Sequence, residues 1–89
     1  MLVVRQTAAF RCDVRRLRRQ GADLSKLERI VDFLVAKKPV EQKHQDHSLS
    51  GDWKGFRDCH VQPDWVLIYS VEGNELQLAR TGVHSVLFG

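Results

Sequence analysis

The amino-acid sequence predicts a single α+β domain over residues 1–89, with two helices packed on one face of an antiparallel sheet. Two observations predict this fold class. Apolar residues recur at helical spacing through the first half of the chain, and three strand-like runs separated by turn residues fill the second half. A chain of 89 residues has room for one modest hydrophobic core, so we expect no second domain.

Local patterns predict the first strand and the first helix. LVVR is a short β-branched run and predicts an opening strand. TAAFRCDVRRLRRQG predicts a helix, because Phe10, Val14 and Leu17 fall on one helical face. Thr7 is suited to cap the start of this helix, and Gly21 is suited to end it.

A second helix is predicted in DLSKLERIVDFLVAKKP, where Asp23 occupies the N-cap position and Pro39 follows the last turn. Its apolar stripe consists of Leu24, Leu27, Ile30, Val31, Leu34 and Val35. The connection QGA is short, so we expect the two helices to form an antiparallel pair whose apolar faces share one neighbour.

The second half of the chain predicts a long loop followed by a three-stranded meander. Residues 40–52 are polar and show neither helical nor strand periodicity, which is typical of a functional loop. The runs WKGFRDCHV, WVLIYSV and LQLARTGVH follow, with QPD and EGN as their turns. The order strand, helix, helix, strand, strand, strand predicts helices on one face of the sheet and an open opposite face.

Charge and cysteine content limit the functional classes. The net charge is +3, and RCDVRRLRRQ holds five arginines, which suit a polyanion or an acidic protein partner, or else form a solvated helix face. No apolar run approaches the roughly 20 residues of a membrane span, and MLVVRQTAAF does not resemble a signal peptide. The two cysteines lack CxxC spacing, so we expect a cytoplasmic protein without a disulfide, a thiolate metal site or a membrane partner.

Titratable and basic side chains are predicted to meet at one edge of the sheet. HVQPDWVLIYS places His60 and Asp64 at the start of the second meander strand, and His84 lies near the end of the third. These strand ends are neighbours in a meander, so two imidazoles and a carboxylate converge there. Strand alternation puts Lys54 on the side of His60, and Arg80 on the side of His84. Taken singly, the aspartate also suits a turn, and the histidines also suit a solvated or structural role.

Three motifs resemble those of one known family. DHSLSGDWKGFRD, HVQPDWVLIY and RTGVHSVLFG are similar, in sequence and in spacing, to signatures of the YafQ-type toxins, a branch of the RelE superfamily of bacterial toxin–antitoxin systems. The resemblance is strongest over residues 46–89 and extends more loosely, through helix pattern and charge, over residues 1–45. Cys59 is the clearest local departure, because a small residue such as alanine is expected there.

The resemblance implies a RelE-like fold and a toxin that acts as a ribosome-dependent endoribonuclease. Such toxins enter the ribosomal A site and cut mRNA, which inhibits translation, and a cognate antitoxin holds them inactive in a hetero-oligomer. The family uses no metal or organic cofactor, so the resemblance implies a metal-independent enzyme of the bacterial cytoplasm. The functional positions of the family correspond here to His47, His60, Asp64, His84 and Phe88.

The residue types themselves suit cleavage of RNA by its own ribose 2′-hydroxyl. Attack on the adjacent phosphate needs a base, an acid for the departing 5′-oxygen, and positive charge beside the phosphorus. Histidine serves either proton transfer, because the ordinary pKa of imidazole is near 6.5. Asp64 suits orientation of an imidazole or the role of base. Arg80 and Lys54 suit phosphate binding, and Phe88 suits stacking on a base or plugging the core.

Two further functional classes stay open at this point. A zinc site would draw on His44, His47, His60, His84 and Asp64, but these lack the ligand spacing typical of helices or hairpins, and no thiolate joins them. The other class is a non-catalytic protein, either an RNA-binding module or a gyrase inhibitor like the ParE branch, although ParE-like proteins generally lack the histidine set. The role of Arg57 is also open, because this residue suits either a contact with RNA or an ion pair with Asp58.

Overall fold

The computed structural model of the chain describes residues 1–38 and 46–88. In chain order the strands are β1 (Val3–Gln6), β2 (His47–Ser48), β3 (Arg57–Gln62), β4 (Trp65–Glu72) and β5 (Glu75–Val83). The α-helices are α1 (Ala8–Arg19), α2 (Leu24–Val35) and α3 (His84–Phe88), and a 3₁₀ turn spans Gly51–Trp53. Within these two ranges, no helix is long and apolar enough to cross a membrane.

The described strands form one mixed sheet in the order β1-β5-β4-β3-β2. β3, β4 and β5 make the predicted antiparallel meander. β1 instead runs parallel to β5, with Val3 opposite Glu75 and Gln6 opposite Leu78. A parallel neighbour needs a long connection, which the helices and strands between β1 and β5 supply. The predicted α+β class is confirmed, and the sheet is mixed rather than antiparallel throughout.

Helices α1 and α2 pack on one face of the sheet, as predicted. They contribute the buried side chains Phe10, Leu17, Leu27 and Ile30 to the core. The strands contribute Cys59, Val61, Trp65, Leu67, Tyr69, Leu76 and Leu78. Burial of one large apolar side chain stabilises a fold by about 1.5–3 kcal/mol, so this layer is the main source of stability. The Trp65 indole N–H, which is buried in the layer, donates to the Thr81 hydroxyl at 2.9 Å.

The predicted caps of both helices are present. The Thr7 hydroxyl accepts a hydrogen bond from the Phe10 N–H at 3.0 Å and donates one to the Ala79 carbonyl at 2.7 Å. The Asp23 carboxylate accepts from the Ser25 N–H at 3.1 Å. Thr7 therefore caps α1 and also fixes this helix to the edge of β5, beyond the point where β1 ends.

The segment before β3 differs from the prediction. The run WKGFRDCHV becomes a strand only at Arg57, because Gly51–Trp53 forms a 3₁₀ turn and the chain reverses at Gly55, where φ is +94°. Lys54 therefore lies in a turn, and the prediction that strand alternation places it beside His60 is wrong. The predicted loop, residues 40–52, also contains β2. Its first six residues, together with Pro39, lie outside the described residues.

Strand β5 contains a bulge, so its side chains do not alternate strictly between the two faces of the sheet. Tyr69 pairs with Leu78 and its neighbour Ile68 pairs with Arg80, so Ala79 is the extra residue. Leu78 consequently faces the core with Tyr69, whereas Arg80 faces the opposite side of the sheet. Strict alternation along β5 would have put these two residues on the same face.

The face opposite α1 and α2 is not open, contrary to the prediction. Val66 and Ile68 point to this face and have no exposed surface. Helix α3 packs against β5 here, and a Leu87 methyl lies 3.8 Å from the point that a Cβ of Gly82 would occupy. The difference arises because β5 ends at Val83, so His84 begins a helix instead of extending the strand.

Candidate active site

The candidate site lies on the face of the sheet opposite α1 and α2. Cross-strand pairing defines two rows of residues on this face, the first His60, Val66 and Gly82, and the second Asp58, Ile68 and Arg80. Neighbouring strands lie about 4.8 Å apart, so the ends of each row are separated by roughly 10 Å. Helix α3 starts two residues after Gly82 and brings His84 back toward the first row.

Three rings come together where β3, β4 and α3 meet. The ring centroids of His60 and His84 are 6.4 Å apart, and those of His84 and Phe88 are 4.7 Å apart. Phe88 is half-buried and lies outside the hydrophobic core. The two imidazoles are too far apart for a direct hydrogen bond, and their spacing suits contact with opposite sides of one small group.

Backbone contacts hold this corner together. The His84 N–H donates to the Asp64 carbonyl at 2.9 Å, which joins the start of α3 to the β3–β4 turn. His60 Nδ1 lies 3.2 Å from the Pro63 carbonyl oxygen in the same turn. A carbonyl only accepts, so this hydrogen bond requires a hydrogen on Nδ1.

Asp64 belongs to this corner, whereas Lys54 lies in the turn before β3. The backbone of Asp64 forms part of the corner, and its side chain is exposed. Among the residues that the structure describes, no hydrogen bond engages its carboxylate. Lys54 is exposed in the turn before β3 and belongs to neither row.

Arg80 is fixed by a carboxylate that the sequence did not indicate. Its Nε and Nη2 atoms bind the two oxygens of Asp13 at 2.7 and 3.0 Å. Hydrogen bonding to Asp13 raises the pKa of Arg80, so its positive charge is permanent. Asp13 follows Phe10 by three residues and precedes Leu17 by four, so a carboxylate on the apolar face of α1 is the signal that could have revealed it.

The structure describes only the backbone of His47, and it does not describe His44. His47 lies in β2 with its backbone opposite Asp58, one strand away from His60 and two residues along. Its side chain lies outside what the structure describes. His44, named above as a possible zinc ligand, lies outside the described ranges altogether.

Arg57 belongs to a different cluster, on the helix side of the sheet. Its Nε donates to Asp46 at 3.0 Å, and the other oxygen of Asp46 accepts from the Tyr69 hydroxyl at 2.6 Å. Burial and the bond to Asp46 raise the pKa of Tyr69 above its usual range. The structure thus pairs Arg57 with Asp46, an option that the sequence did not offer.

Cys59, the local departure from the family pattern, is fully buried in the core. Burial, together with the nearby carboxylates of Asp46 and Asp58, raises the pKa of its thiol to about 12. A thiol in this state is protonated at neutral pH and is a poor nucleophile. Cys59 therefore acts as a small core residue.

Donor groups for a metal ion do not cluster in the described part of the chain. Within residues 1–38 and 46–88, and leaving aside the side chain of His47, no three side chains of His, Cys, Asp or Glu are placed to hold one ion. The rings of His60 and His84 lie 6.4 Å apart, and two imidazoles fall short of the four ligands of a structural zinc site.

Comparison with known proteins identifies the family of this chain. The family model of YafQ, a bacterial toxin of type II toxin–antitoxin systems, matches residues 2–89. The mRNA interferase toxin YafQ of Escherichia coli strain K12 is 41% identical over 78 residues, which cover 86% of this chain and 85% of that protein.

Solved structures agree on the fold over the whole chain. A chain in the crystal structure of the Escherichia coli DinJ–YafQ complex superposes with a TM-score of 0.92 and 36% identity, covering 100% of both chains. A metal-bound toxin from Helicobacter pylori superposes with a TM-score of 0.93 and 39% identity, covering 99% of this chain and 100% of that one. The resemblance seen in the three motifs is confirmed, and this chain belongs to the YafQ family of toxins from bacterial type II toxin–antitoxin systems.

Proposed function

We propose that this chain is a ribosome-dependent endoribonuclease that cleaves mRNA in the ribosomal A site and thereby inhibits translation. The observation that carries the proposal is the pairing of His60 with His84, whose rings lie 6.4 Å apart beside Phe88. Two imidazoles next to an aromatic ring suit proton transfer on RNA with a base stacked alongside. The name of the Escherichia coli relative, mRNA interferase, supports the same reaction class.

The two imidazoles divide the proton transfers of a 2′-hydroxyl attack. One takes the proton of the ribose 2′-hydroxyl while that oxygen bonds to phosphorus. The other gives a proton to the 5′-oxygen while its bond to phosphorus breaks. The products are a 2′,3′-cyclic phosphate and a 5′-hydroxyl, and each proton transfer accelerates the reaction by roughly 10²- to 10⁴-fold.

Asp64 and His47 complete the proposed catalytic set. The Asp64 carbonyl binds the start of α3, and this closeness to His84 supports a role for the Asp64 carboxylate in orienting an imidazole or acting as the base. His47 is one strand from His60 by backbone register, which supports a role for it in the same reaction.

The RNA backbone is held by positive charge at the edge of this corner. Arg80 faces the site side of the sheet, and 31% of its side chain is exposed, so it is able to contact phosphate while Asp13 holds it. Lys54, exposed in the turn before β3, supplies a further cation for the RNA backbone. Phe88 supplies the stacking surface, a contact worth about 1–3 kcal/mol per base.

An antitoxin is the expected partner. The Escherichia coli relative is seen in a complex with DinJ, and the charge of +3 on this chain suits an acidic partner. We expect a hetero-oligomer of toxin and antitoxin in the bacterial cytoplasm, where the ribosomes are.

Cleavage by purified protein on programmed ribosomes tests the proposal. The wild-type chain should create new mRNA ends at the A site, with 5′-hydroxyl and 2′,3′-cyclic phosphate groups. His60→Gln and His84→Gln should each slow cleavage by about 10²- to 10⁴-fold, because each removes one proton transfer. His44→Gln is the matched control and should cleave like wild type.

Three results would contradict the proposal: ends that carry a 5′-phosphate, equal cleavage by wild type and His84→Gln, or no cleavage by wild type.

A separate experiment tests whether the enzyme works without a metal ion. Toxin stripped with a chelator, freed of it and checked for residual metal should cleave ribosome-bound mRNA at the wild-type rate. Restoration of a lost rate by zinc or copper would overturn the metal-independent assignment.

A further inference from the structure

We infer that Asp13 is a positioning residue that holds Arg16 and Arg80 side by side as a binding site for an mRNA phosphate next to the cleaved linkage. The inference rests on the proposed function and deepens it. It assigns substrate contact to Arg16, on a helix that carries none of the predicted catalytic residues.

Asp13 has unusual surroundings for a helical aspartate. Its side chain is only 1% exposed, and its two oxygens accept hydrogen bonds from two arginines and from the backbone. Arg80 binds it through two nitrogens, at 2.7 and 3.0 Å, and Arg16 Nη2 binds it at 2.7 Å. The Thr81 N–H adds a further hydrogen bond at 3.1 Å. One buried carboxylate therefore fixes two guanidinium groups that come from α1 and β5.

The charges in this cluster do not cancel. Burial acts to raise the pKa of Asp13, but the hydrogen bonds from Arg80, Thr81 and Arg16 outweigh it and lower the pKa overall. The carboxylate is therefore ionised at neutral pH, and two positive charges share one negative charge. The excess positive charge favours a bound anion.

Both arginines keep donors for such an anion. A guanidinium has five N–H groups, and the contacts to Asp13 use two from Arg80 and one from Arg16. The Arg16 and Arg80 side chains are 40% and 31% exposed, so the remaining groups are within reach of solvent. The planar geometry of guanidinium suits two-pronged contact with phosphate oxygens.

The position of Arg16 ties this cluster to the candidate active site. Arg16 Nη2 lies 3.9 Å from the point that a Cβ of Gly82 would occupy, and Leu87 of α3 is equally close. Gly82 belongs to the row that contains His60, and Arg80 belongs to the adjacent row. An RNA strand with its cleaved linkage at the histidines would therefore bring a neighbouring phosphate to the arginines. This adjacency favours RNA over an acidic protein as the ligand.

Equilibrium binding to ribosomes tests the inference without relying on cleavage. The probe is a ribosome whose A-site codon is 2′-O-methylated, so that it lacks the attacking hydroxyl. Arg16→Gln should weaken binding about tenfold or more, because it removes a charged hydrogen-bond donor. Arg15→Gln is the matched control, since it removes the same charge one residue away, where the guanidinium contacts Cys12 Sγ at 3.2 Å. The control should change binding less than about twofold.

Asp13→Asn separates positioning from simple electrostatics. The substitution makes the cluster more positive, so charge alone predicts tighter binding to RNA. Loss of the ion pairs releases both arginines, so the inference predicts weaker binding, close to that of Arg16→Gln. Circular dichroism and thermal unfolding of each variant establish that it is folded, and Arg16→Lys, which keeps charge but loses the planar fork, should bind with intermediate affinity.

Several outcomes would overturn the inference. Tighter binding by folded Asp13→Asn, or equal losses for Arg16→Gln and Arg15→Gln, would show that only net charge matters. If Arg16→Gln loses as much affinity for ribosomes whose mRNA ends before the A site, then Arg16 contacts ribosomal RNA and not the mRNA. Unchanged ribosome binding with weakened antitoxin binding would assign it to a protein interface. If wild type binds as predicted but never cleaves unmodified mRNA, the proposed function fails and the binding differences still decide the inference.

Discussion

A single carboxylate organises the basic side of the site. Asp13 lies on the apolar face of α1, is almost fully buried, and forms ion pairs with Arg16 and Arg80. An unpaired charge at such a position would be costly, whereas a carboxylate with several donors is well satisfied. The residue therefore contributes to stability and to the placement of the arginines at once.

The stability contributed by Asp13 should depend on pH with a defined sign. Its pKa in the folded chain is lowered from the ordinary value of 3.8, so unfolding raises the proton affinity of this group. The contribution is complete above about pH 4 to 5 and disappears as the pH falls through the lower folded pKa. Urea unfolding of wild type and Asp13→Asn should show a difference in unfolding free energy of about 1–3 kcal/mol at pH 7 that shrinks by pH 2. A difference that is constant or that grows toward low pH would contradict the assigned ion pairs.

Individual residues differed in how far the sequence could place them. His60 and His84 could be paired from sequence, because meander connectivity puts their strand ends side by side. Arg57 could not be assigned, since its partner Asp46 lies eleven positions earlier, in a segment without periodicity. Asp13 was missed because hydrophobic pattern gives no account of a charged residue on a buried face until its partners are known.

At the scale of elements, α1 completes the edge of the sheet that β1 leaves exposed. β1 pairs with β5 only up to Leu78. Beyond that point the Thr7 hydroxyl binds the Ala79 carbonyl, and Asp13 accepts from the Thr81 N–H. Side chains of one helix thus satisfy backbone groups that a neighbouring strand would otherwise bind.

This arrangement predicts that Thr7 matters more than an ordinary helix cap. Thr7→Val keeps the shape of the side chain and removes both hydrogen bonds, so we expect a loss of about 1–2 kcal/mol of unfolding free energy. Asp23→Ala is the control, because Asp23 caps α2 in an exposed position and its carboxylate binds Ser25, two residues further along the same helix. Urea unfolding followed by circular dichroism should show the larger loss for Thr7→Val. Equal losses would mean that the bond to β5 adds nothing.

Element type could be predicted where periodicity is local, as in α1, α2 and the meander strands. The bulge at Ala79 and the 3₁₀ turn before β3 could not, because tertiary packing sets them and a one-residue shift leaves the hydrophobic composition unchanged. The sequence did not predict the short helix α3, and its first residue, His84, falls at the end of the third predicted strand. The five residues of α3 follow directly from β5 and are stabilised by contacts with that strand and with the β3–β4 turn.

At the scale of the whole molecule, the small sheet brings distant parts of the chain to one corner. Strand β3 supplies His60, the turn after it supplies Asp64, α3 supplies His84 and Phe88, and α1 supplies Arg16. At this corner, we propose, the two histidines act on opposite sides of one phosphodiester, as acid and as base.

An mRNA whose departing 5′-oxygen is replaced by sulfur tests that claim most directly. A thiol is more acidic than an alcohol and leaves without help from an acid, so the modified linkage needs only the base. Rates of ribosome-bound cleavage are measured for wild type, His60→Gln and His84→Gln on both substrates. We expect sulfur to restore near-wild-type cleavage to the variant that lacks the acid and to leave the variant that lacks the base slow. Restoration of both variants, or of neither, would contradict the claim.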